Sequence, residues 1–381
     1  MSPVIVDLTD EQARRTLPLK WGTVPPDVLP AWVAETDYAL APAVHEAVLR
    51  AVHDQVTGYH GASAPVADAL AGFAARRFGW EVDPGHVVLT ADVMTGVGLA
   101  LELFSEPGPV VVPTPAYMPF LDVAQTVGLE PVFLPLDPDA GRATIDLDRL
   151  DALLDAGART VLLSQPHNPW GRAFTRAELE GLRDVVLRHG ARVVSDEIHA
   201  PLVLDGAEHV PYLSLAGTHE HAVAVVAASK AFNTAGLKCA QVVAPGPGAA
   251  AALRGVPLVR TSGMSPLGAV AAVAAYGQGD AWLDALVARL SAQRDLFAAL
   301  AAEQLPRARV RHQEATYLAW VDARGYGHDD PAGRASARGR VQVNAGPTFG
   351  PGGEGHVRVN LATSPDRLRE IVRRLALAWD A

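Results

Sequence analysis

The sequence contains a single cysteine, Cys239, which excludes an internal disulfide and a cysteine-based zinc cluster. It lacks a long apolar run: the longest, around residues 223–228, has the length of a strand rather than of a membrane span. The opening residues lack the apolar core of a secretory signal. Basic residues are also scarce, 32 against 42 acidic ones for a net charge of −10, which disfavours nucleic acid or an anionic membrane as a partner. We therefore expect a soluble, acidic, cytoplasmic protein.

The chain has 381 residues, more than one hydrophobic core usually accommodates, so we expect two domains or one large domain with appendages. Apolar residues make up 49% and charged residues 19%, which is typical of a globular protein. Residues 42–56 place apolar side chains at i, i+3 and i+4, which predicts an amphipathic helix. Residues 93–104 predict a second helix, with Asp92 at its N-cap.

Short β-branched runs then alternate with helical patterns. One helix is signalled at both ends, because Thr175 and Glu178 form a capping-box pattern and Gly190 suits the position after its last residue. Strand–helix–strand alternation favours a mostly parallel central sheet with helices on both faces and a ligand site at the carboxyl ends of the strands. The predicted strands cover residues 110–112, 132–134, 161–163, 193–194 and 223–226, which are apolar throughout, as strands covered on both faces must be.

The composition and the pattern of predicted elements change after about residue 255. Residues 266–302 are rich in alanine and predict one or two long helices, and Ser364 with Pro365 predicts the start of a last helix. Short strands are predicted around residues 317–321, 341–343 and 357–360, and residues 329–340 are polar enough for a mobile surface loop. We expect a large domain at residues 46–255 and a smaller α+β domain at residues 256–381, which the segment 1–45 joins.

Four polar clusters follow predicted strands and contain Asn168, Asp196, Lys230 and Arg358. Taken singly, each has an ordinary structural explanation: a turn for Asn168, a helix N-cap for Asp196, an exposed ion pair for Lys230 and a structural salt bridge for Arg358. Taken together, an amide, a buried carboxylate, an amine and a guanidinium fit pyridoxal 5′-phosphate (PLP) chemistry on an amino acid. The amine forms a Schiff base, the carboxylate keeps the pyridine nitrogen protonated, the amide contacts the 3-oxygen and the guanidinium holds the substrate carboxylate.

At these motifs the sequence resembles the fold-type I PLP enzymes of the class I/II aminotransferase superfamily, which have the aspartate aminotransferase-like fold. More narrowly, it resembles the MalY/PatB group of cystathionine β-lyase-like carbon–sulfur lyases. The strings Asp-Glu-Ile-His at 196–199 and Pro-His-Asn-Pro at 166–169 are fairly specific to that group. The other matching segments are residues 29–38, 115–117, 229–233, 315–320 and 358–360, so the resemblance runs nearly end to end.

The resemblance implies a role for each matching position, with Lys230 as the Schiff-base lysine and Arg358 as the ligand of the substrate α-carboxylate. It implies a homodimer with active sites at the interface, in which Tyr59 reaches the neighbouring subunit's phosphate; the alternative for Tyr59 is a buried structural role. Trp32, Tyr38, Trp170 and residues 261–265 are candidates to line the substrate pocket. The implied cofactor contacts are Asp196 at the pyridine nitrogen, Asn168 and His199 at the 3-oxygen, Tyr117 on the ring, and Val93, Met94, Ser229 and Lys238 at the phosphate.

Three positions depart from the general pattern. Lys238 occupies the usual place of a phosphate-binding arginine, and a lysine neutralises phosphate without gripping it in a bidentate manner. Asp92 replaces a glycine before the phosphate amides, so its carboxylate has to point away from the phosphate or meet a cation. Trp170 replaces a small residue beside the cofactor turn. Cys239 is expected to be a small core residue rather than a nucleophile.

The preferred reaction is β-elimination, in which freed Lys230 removes the α-proton of an L-cysteine S-conjugate or cystathionine and a thiolate leaves, giving thiol, pyruvate and ammonia. Transamination uses the same residues and is the main alternative. A PLP-binding regulatory protein is a third hypothesis, which the intact lysine, carboxylate and arginine disfavour. A metal enzyme is the least expected class, because the 13 histidines form no metal-binding spacing.

Overall fold

The computed structural model describes residues 4–61, 63–137, 141–261 and 263–380. Its α-helices are α1 (Asp10–Thr16), α2 (Pro42–His53), α3 (Ala64–Phe78), α4 (Val93–Phe104), α5 (Val123–Thr126), α6 (Leu147–Asp155), α7 (Arg176–Arg188), α8 (Ser229–Phe232), α9 (Pro247–Arg254), α10 (Leu258–Thr261), α11 (Pro266–Gln278), α12 (Asp280–Gln304), α13 (Pro331–Arg334) and α14 (Pro365–Asp380). Its strands are β1 (Leu29–Pro30), β2 (Val87–Thr90), β3 (Val110–Thr114), β4 (Pro131–Pro135), β5 (Thr160–Ser164), β6 (Arg192–Asp196), β7 (Ala222–Val226), β8 (Ala240–Val243), β9 (Arg309–Val310), β10 (Leu318–Asp322), β11 (Val341–Gln342), β12 (Asn344–Ala345) and β13 (His356–Asn360).

The central sheet has seven strands in the order β2-β8-β7-β6-β5-β3-β4. Strands β7, β6, β5, β3 and β4 run parallel, whereas β8 runs antiparallel to both of its neighbours, β7 and β2. The parallel strands β3, β5 and β7 are buried along their whole length, because helices cover both faces of the sheet. The mostly parallel sheet expected from the sequence is therefore confirmed, and the edge formed by β2 and β8 is the part that the sequence reading missed.

The residues that the sequence analysis placed at helix ends make the expected capping contacts. The Thr175 side chain accepts from the Glu178 amide while the Glu178 side chain accepts from the Thr175 amide, so the capping box that starts α7 is complete. Gly190, just after the last residues of α7, has a φ of +58°, a conformation that favours glycine. Asp92 caps α4 through the Thr95 amide, and the Ser364 hydroxyl accepts from the amide of Arg367 in the first turn of α14. All four predictions are confirmed.

A second, antiparallel sheet has the order β12-β13-β10-β9 and carries Arg358 on β13. Its inner face packs against α14 and the end of α12 in an apolar cluster that includes Val321, Phe297 and Trp379. The strand predicted at residues 341–343 is β11, which pairs in parallel with β1 and so attaches the N-terminal segment to this part of the chain.

The prediction of a mobile loop at residues 329–340 is wrong. Residues 331–334 form α13, whose first turn is capped by the Asp330 carboxylate accepting from the Gly333 amide at 2.8 Å. A further helical turn follows at Ala335–Gly339 and buries Ala335 against α14. The polar composition of the segment suggested a loop. Its buried positions are small residues, which do not produce the apolar pattern that marks a helix.

Helix α11 packs against α2 and α3, and Tyr276 shares an apolar cluster with Val44 and Phe73. The first half of α12 contributes Leu286 to the same cluster. Helices from both sides of residues 255–256 thus share one apolar cluster. The predicted division into two domains at these residues remains a prediction. Of the helices that the structure describes, none is both long and apolar enough to cross a membrane.

Candidate active site

The cavity

The carboxyl ends of β5, β6 and β7 open into one cavity of about 220 Å³. Strand β5 leads to Asn168, β6 ends at Asp196, and β7 leads to Lys230 in the first turn of α8. Three of the four clusters that the sequence analysis singled out therefore meet here. The cavity is lined by Ala34, Ala91, Asp92, Val93, Met94, Tyr117, Ser164, Asn168, Asp196, Ile198, His199, Ser229, Lys230, Ala235, Lys238, Cys239 and Ala240.

The Lys230 amine lies inside this cavity and is fixed by one strong contact. Its Nζ atom donates to the backbone oxygen of Ala34 at 3.0 Å. Burial, and then the nearby Arg358 guanidinium, lower the pKa of Lys230 to about 8, although the carboxyl groups of Glu35 and Asp196 act in the opposite direction. A larger share of this amine is uncharged near neutral pH than for an exposed lysine, so the group is suited to act as a nucleophile and as a base.

Asp196 presents a buried carboxyl group on the opposite wall. Its Oδ1 atom accepts from the Ile198 amide at 3.0 Å. Burial is the main cause that raises the pKa of Asp196 to about 7. The neighbouring Glu197 acts in the same direction, whereas the hydrogen bond from Ile198 and the charge of Lys230 lower the pKa. A carboxylate in this position needs a cationic partner to remain ionised. A protonated pyridine nitrogen is such a partner.

Arg358 enters the site from β13 and is 3% exposed. Among the described residues, its guanidinium donates to three neutral oxygens: Oδ1 of Asn168 at 3.0 Å, Oδ1 of Asn344 at 2.8 Å and the backbone oxygen of Trp32 at 2.9 Å. The guanidinium also lies 4.9 Å from the centre of the Phe349 ring. Burial lowers the pKa of Arg358 to about 10, which still leaves it charged at neutral pH. A buried cation held by neutral acceptors is ready to bind an anion such as a carboxylate.

Residues 32–36, which we call the strap, run across this site in an irregular conformation. Their backbone carbonyls accept hydrogen bonds from side chains that lie far away in the sequence. The strap therefore fixes the amine and the guanidinium relative to each other through one short piece of backbone. The donors are Arg358 to Trp32, Asn360 to Val33 and Glu35, Lys230 and Tyr317 to Ala34, Lys20 to Glu35, and Asn233 to Thr36.

The N-terminus of α4 forms the other end of the cavity. Because the Thr95 amide donates to Asp92 Oδ1 and the Gly96 amide to the Asp92 backbone oxygen, Val93 and Met94 supply the remaining amides of the first turn. Such amides bind phosphate groups well. Asp92 meets the cation that the sequence analysis required, since its Oδ2 atom lies 2.8 Å from Lys238 Nζ.

Three further side chains complete the lining. Burial raises the pKa of Tyr117, and its ring is free to face a planar ligand because it contacts Phe120 only edge to face. Burial and the charges of Lys230 and Arg358 lower the pKa of His199 to about 3, so its imidazole is neutral; its Nδ1 atom has no hydrogen-bond partner among the described residues. Cys239 lines the cavity rather than the deep core, and burial raises the pKa of its thiol to about 11, so it is not a thiolate.

Five predicted residues lie outside the cavity lining. One of them, Arg358, reaches the lining through its hydrogen bond to Asn168. Tyr38 is buried in the core and donates to the Thr363 backbone oxygen, and Trp170 is buried in an apolar cluster away from the cavity. Trp32 reaches the site only through its backbone oxygen, since its indole donates to the Lys20 backbone oxygen. Tyr59 is fully exposed, so the buried structural role considered for it is wrong. Of residues 261–265, Ser262 lies outside the described residues.

Residues that the sequence analysis missed include Asn344, which holds Arg358 from the paired strand β12. No local signal marked Asn344, because its role depends on the register between β12 and β13. The backbone of Ala34 was likewise missed as an acceptor, although its motif was recognised.

The donor set fits PLP. It combines an amine with a lowered pKa, a buried carboxyl group for a pyridinium, helix N-terminal amides for a phosphate, and the flat face of Tyr117. Nδ1 of His199, which has no partner among the described residues, adds a polar atom that a bound ligand can satisfy.

Comparisons with known proteins agree with the geometry. The chain is 37% identical to a cystathionine beta-lyase of Corynebacterium glutamicum, over 97% of this chain and 98% of that protein. It is 34% identical to the cystathionine beta-lyase PatB of Bacillus subtilis, over 92% of each chain. The crystal structure of cystalysin from Treponema denticola, which contains a pyridoxal 5′-phosphate cofactor, superposes with a TM-score of 0.91 at 27% identity and 99% coverage of each chain. These likenesses confirm the fold-type I architecture predicted from the sequence.

The family model for aminotransferase class I and II matches residues 33–375, which includes the whole cavity and both sheets. The chain belongs to the aminotransferase class I and II family.

Proposed function

We propose that this protein is a PLP-dependent carbon–sulfur β-lyase that cleaves an L-cysteine S-conjugate or cystathionine to a thiol, pyruvate and ammonia with the uptake of one water. The observation that carries the proposal is that Lys230 and Asp196 line one cavity and that Arg358 donates to Asn168, which lines the same cavity. The names of the C. glutamicum and B. subtilis relatives support the lyase reaction over others of the family.

PLP bound in this cavity supplies an electron sink for the negative charge that develops at the substrate α-carbon. Asp196 would keep the pyridine nitrogen protonated, since its buried carboxylate needs a cation beside it to be ionised. Asn168 and His199 would contact the 3-oxygen, and Tyr117 would stack on the ring. Val93, Met94, Ser229 and Lys238 would hold the phosphate.

Arg358 binds the substrate α-carboxylate and thereby sets the direction of the Cα–H bond. Among the described residues its buried guanidinium has no carboxylate partner, so the substrate would supply the first anion it meets. Lys230 would take the α-proton at Nζ. A pKa near 8 makes the neutral form accessible for this step. The sulfur then departs from the β-carbon as a thiolate and receives a proton.

We further propose a cytoplasmic homodimer with its active sites at the interface. The exposed ring of Tyr59 supports this proposal, since a fully solvent-exposed tyrosine is unusual in a monomer and is available to reach a partner subunit. Sedimentation analysis tests the dimer.

The reaction is tested with a panel of S-substituted cysteines and cystathionine, by measuring thiol and pyruvate with and without an added keto acid. Release of both products without a keto acid supports the lyase. Amine transfer that requires a keto acid would identify an aminotransferase instead, and a PLP absorbance band that no amino acid alters would identify a regulatory protein.

The covalent link is tested by borohydride reduction followed by peptide mapping. The chain has only three lysines, and Lys20 and Lys238 are paired with Asp37 and Asp92. We expect the label on Lys230 alone. Lys230→Arg should abolish labelling and turnover, whereas the matched variant Lys238→Arg should keep the label.

A further inference from the structure

The cofactor-phosphate end of the cavity contains an anion of the protein itself. Asp92 is the N-cap of α4, and its Oδ1 atom accepts from both the amide and the hydroxyl of Thr95 at 2.9 Å. Its Oδ2 atom is 2.8 Å from Lys238 Nζ. One carboxylate therefore caps the helix and neutralises the single lysine side chain at this end of the cavity.

The Asp92 carboxylate is ionised at neutral pH. Burial acts to raise its pKa, but the hydrogen bonds from Lys238 and Thr95 outweigh burial and hold the pKa below the usual range. Both Asp92 and Lys238 line the same cavity as the Val93 and Met94 amides. A phosphate dianion bound to these amides consequently lies beside a second negative charge and shares Lys238 with it.

The carboxylate has little freedom to move away from an incoming phosphate. Rotation of the side chain would break its hydrogen bonds to Thr95 and remove the N-cap of α4. The Asp92 carboxylate therefore stays at the N-terminus of α4, where it competes with a bound phosphate for Lys238.

We propose that Asp92 opposes binding of the cofactor phosphate, so that this protein holds PLP more weakly than its cradle of amides and lysine permits. The inference rests on the proposed PLP dependence. It identifies Asp92 as a determinant of cofactor affinity and Lys238 as a cation shared between two anions. Occupancy of the site then responds to the concentration of free cofactor.

The substitution Asp92→Asn separates the two roles of the side chain. Asparagine caps a helix about as well as aspartate does, so α4 keeps its cap, while the negative charge disappears and Lys238 becomes available to the phosphate. A partly exposed ion pair is worth up to about 1 kcal/mol, which corresponds to an affinity gain of about fivefold.

The matched control is Asp146→Asn. Asp146 caps α6 through the Arg149 amide at 3.0 Å, as Asp92 caps α4, but does not line the cavity. It undergoes the same chemical change, so it reports the general effect of removing a capping charge. Thermal unfolding of the cofactor-free full-length proteins shows whether both caps survive.

The experiment is an equilibrium titration of the cofactor-free full-length protein, followed by absorbance, with PLP and separately with pyridoxal, which lacks the phosphate. We expect Asp92→Asn to lower the Kd for PLP about fivefold and to leave the Kd for pyridoxal unchanged. Asp146→Asn should change neither Kd. An unchanged or higher Kd for PLP in Asp92→Asn, or an equal gain for pyridoxal, overturns the inference. Failure of the wild-type protein to bind PLP at all refutes the proposed function instead.

Discussion

The substitution Asn344→Asp tests whether Arg358 is the carboxylate-binding group. Asn344 Oδ1 accepts from the Arg358 guanidinium at 2.8 Å; Arg358 is buried and Asn344 is half-buried. An aspartate in the same place would give Arg358 a permanent anion of its own. Two opposite charges 4 Å apart attract by about 4 kcal/mol at an effective dielectric constant of 20, and even a third of that energy corresponds to about a tenfold loss of affinity for a competing carboxylate.

We expect Asn344→Asp to raise KM for the amino acid substrate at least about tenfold while kcat falls much less, because the contact with the carboxylate is made in both the ground state and the transition state. Asn344→Ala should raise KM less, since Trp32 and Asn168 still hold the guanidinium. Steady-state kinetics with an S-substituted cysteine measure both constants.

The matched control is Gln342→Glu, which adds the same charge two positions away, where the side-chain amide lies near Ser336 rather than Arg358. It should leave KM close to the wild-type value. If Asn344→Asp bound the substrate as well as the wild type does, or if Gln342→Glu raised KM equally, the assignment of Arg358 would be refuted.

Three further predictions concern single groups. Arg358→Gln should raise the pKa of Lys230 above about 8, because one of the positive charges that lower it is removed; the pH midpoint of the reaction of the amine with PLP should move upward, and a fixed midpoint would contradict this. Burial raises the pKa of Asp196 to about 7, so cofactor-free protein loses stability as pH rises from about 4 towards 7 and the side chain ionises in the fold. Asp196→Asn should therefore unfold at higher denaturant than the wild type at pH 8 but not at pH 4, and equal differences at both pH values would exclude this cause. A Cβ on Gly268 would clash with the Leu237 backbone oxygen, so Gly268→Ala should lower the free energy of unfolding by about 1–3 kcal/mol, whereas Gly277→Ala, in open space on the same helix, should not.

The sequence predicted the features that depend on neighbouring residues. The capping box at Thr175 and Glu178 and the turn at Gly190 are complete within a few positions of the chain. The meeting of Asn168, Asp196 and Lys230 was also predictable, because each follows a strand of the same parallel sheet and such strands end at one edge.

The features that sequence reasoning missed depend on long-range packing. Asn344 reaches Arg358 only through the register of β12 against β13, which no local pattern specifies. Tyr38 and Trp170 lie close to recognised motifs, but core packing turns their side chains away from the cavity. In residues 329–340, the polarity of the chain suggested a loop, whereas small alanines provide the buried face of a helix.

The strap also has a consequence for biosynthesis. The hydrogen bond between Trp32 and Arg358 joins residues 326 positions apart, so one of its partners is synthesised long before the other. Because a ribosome adds about 5–20 residues per second and domains fold as they emerge, the pocket stays incomplete until β13 has been synthesised. A nascent chain that already exposes its reactive amine therefore lacks the guanidinium needed to select a substrate.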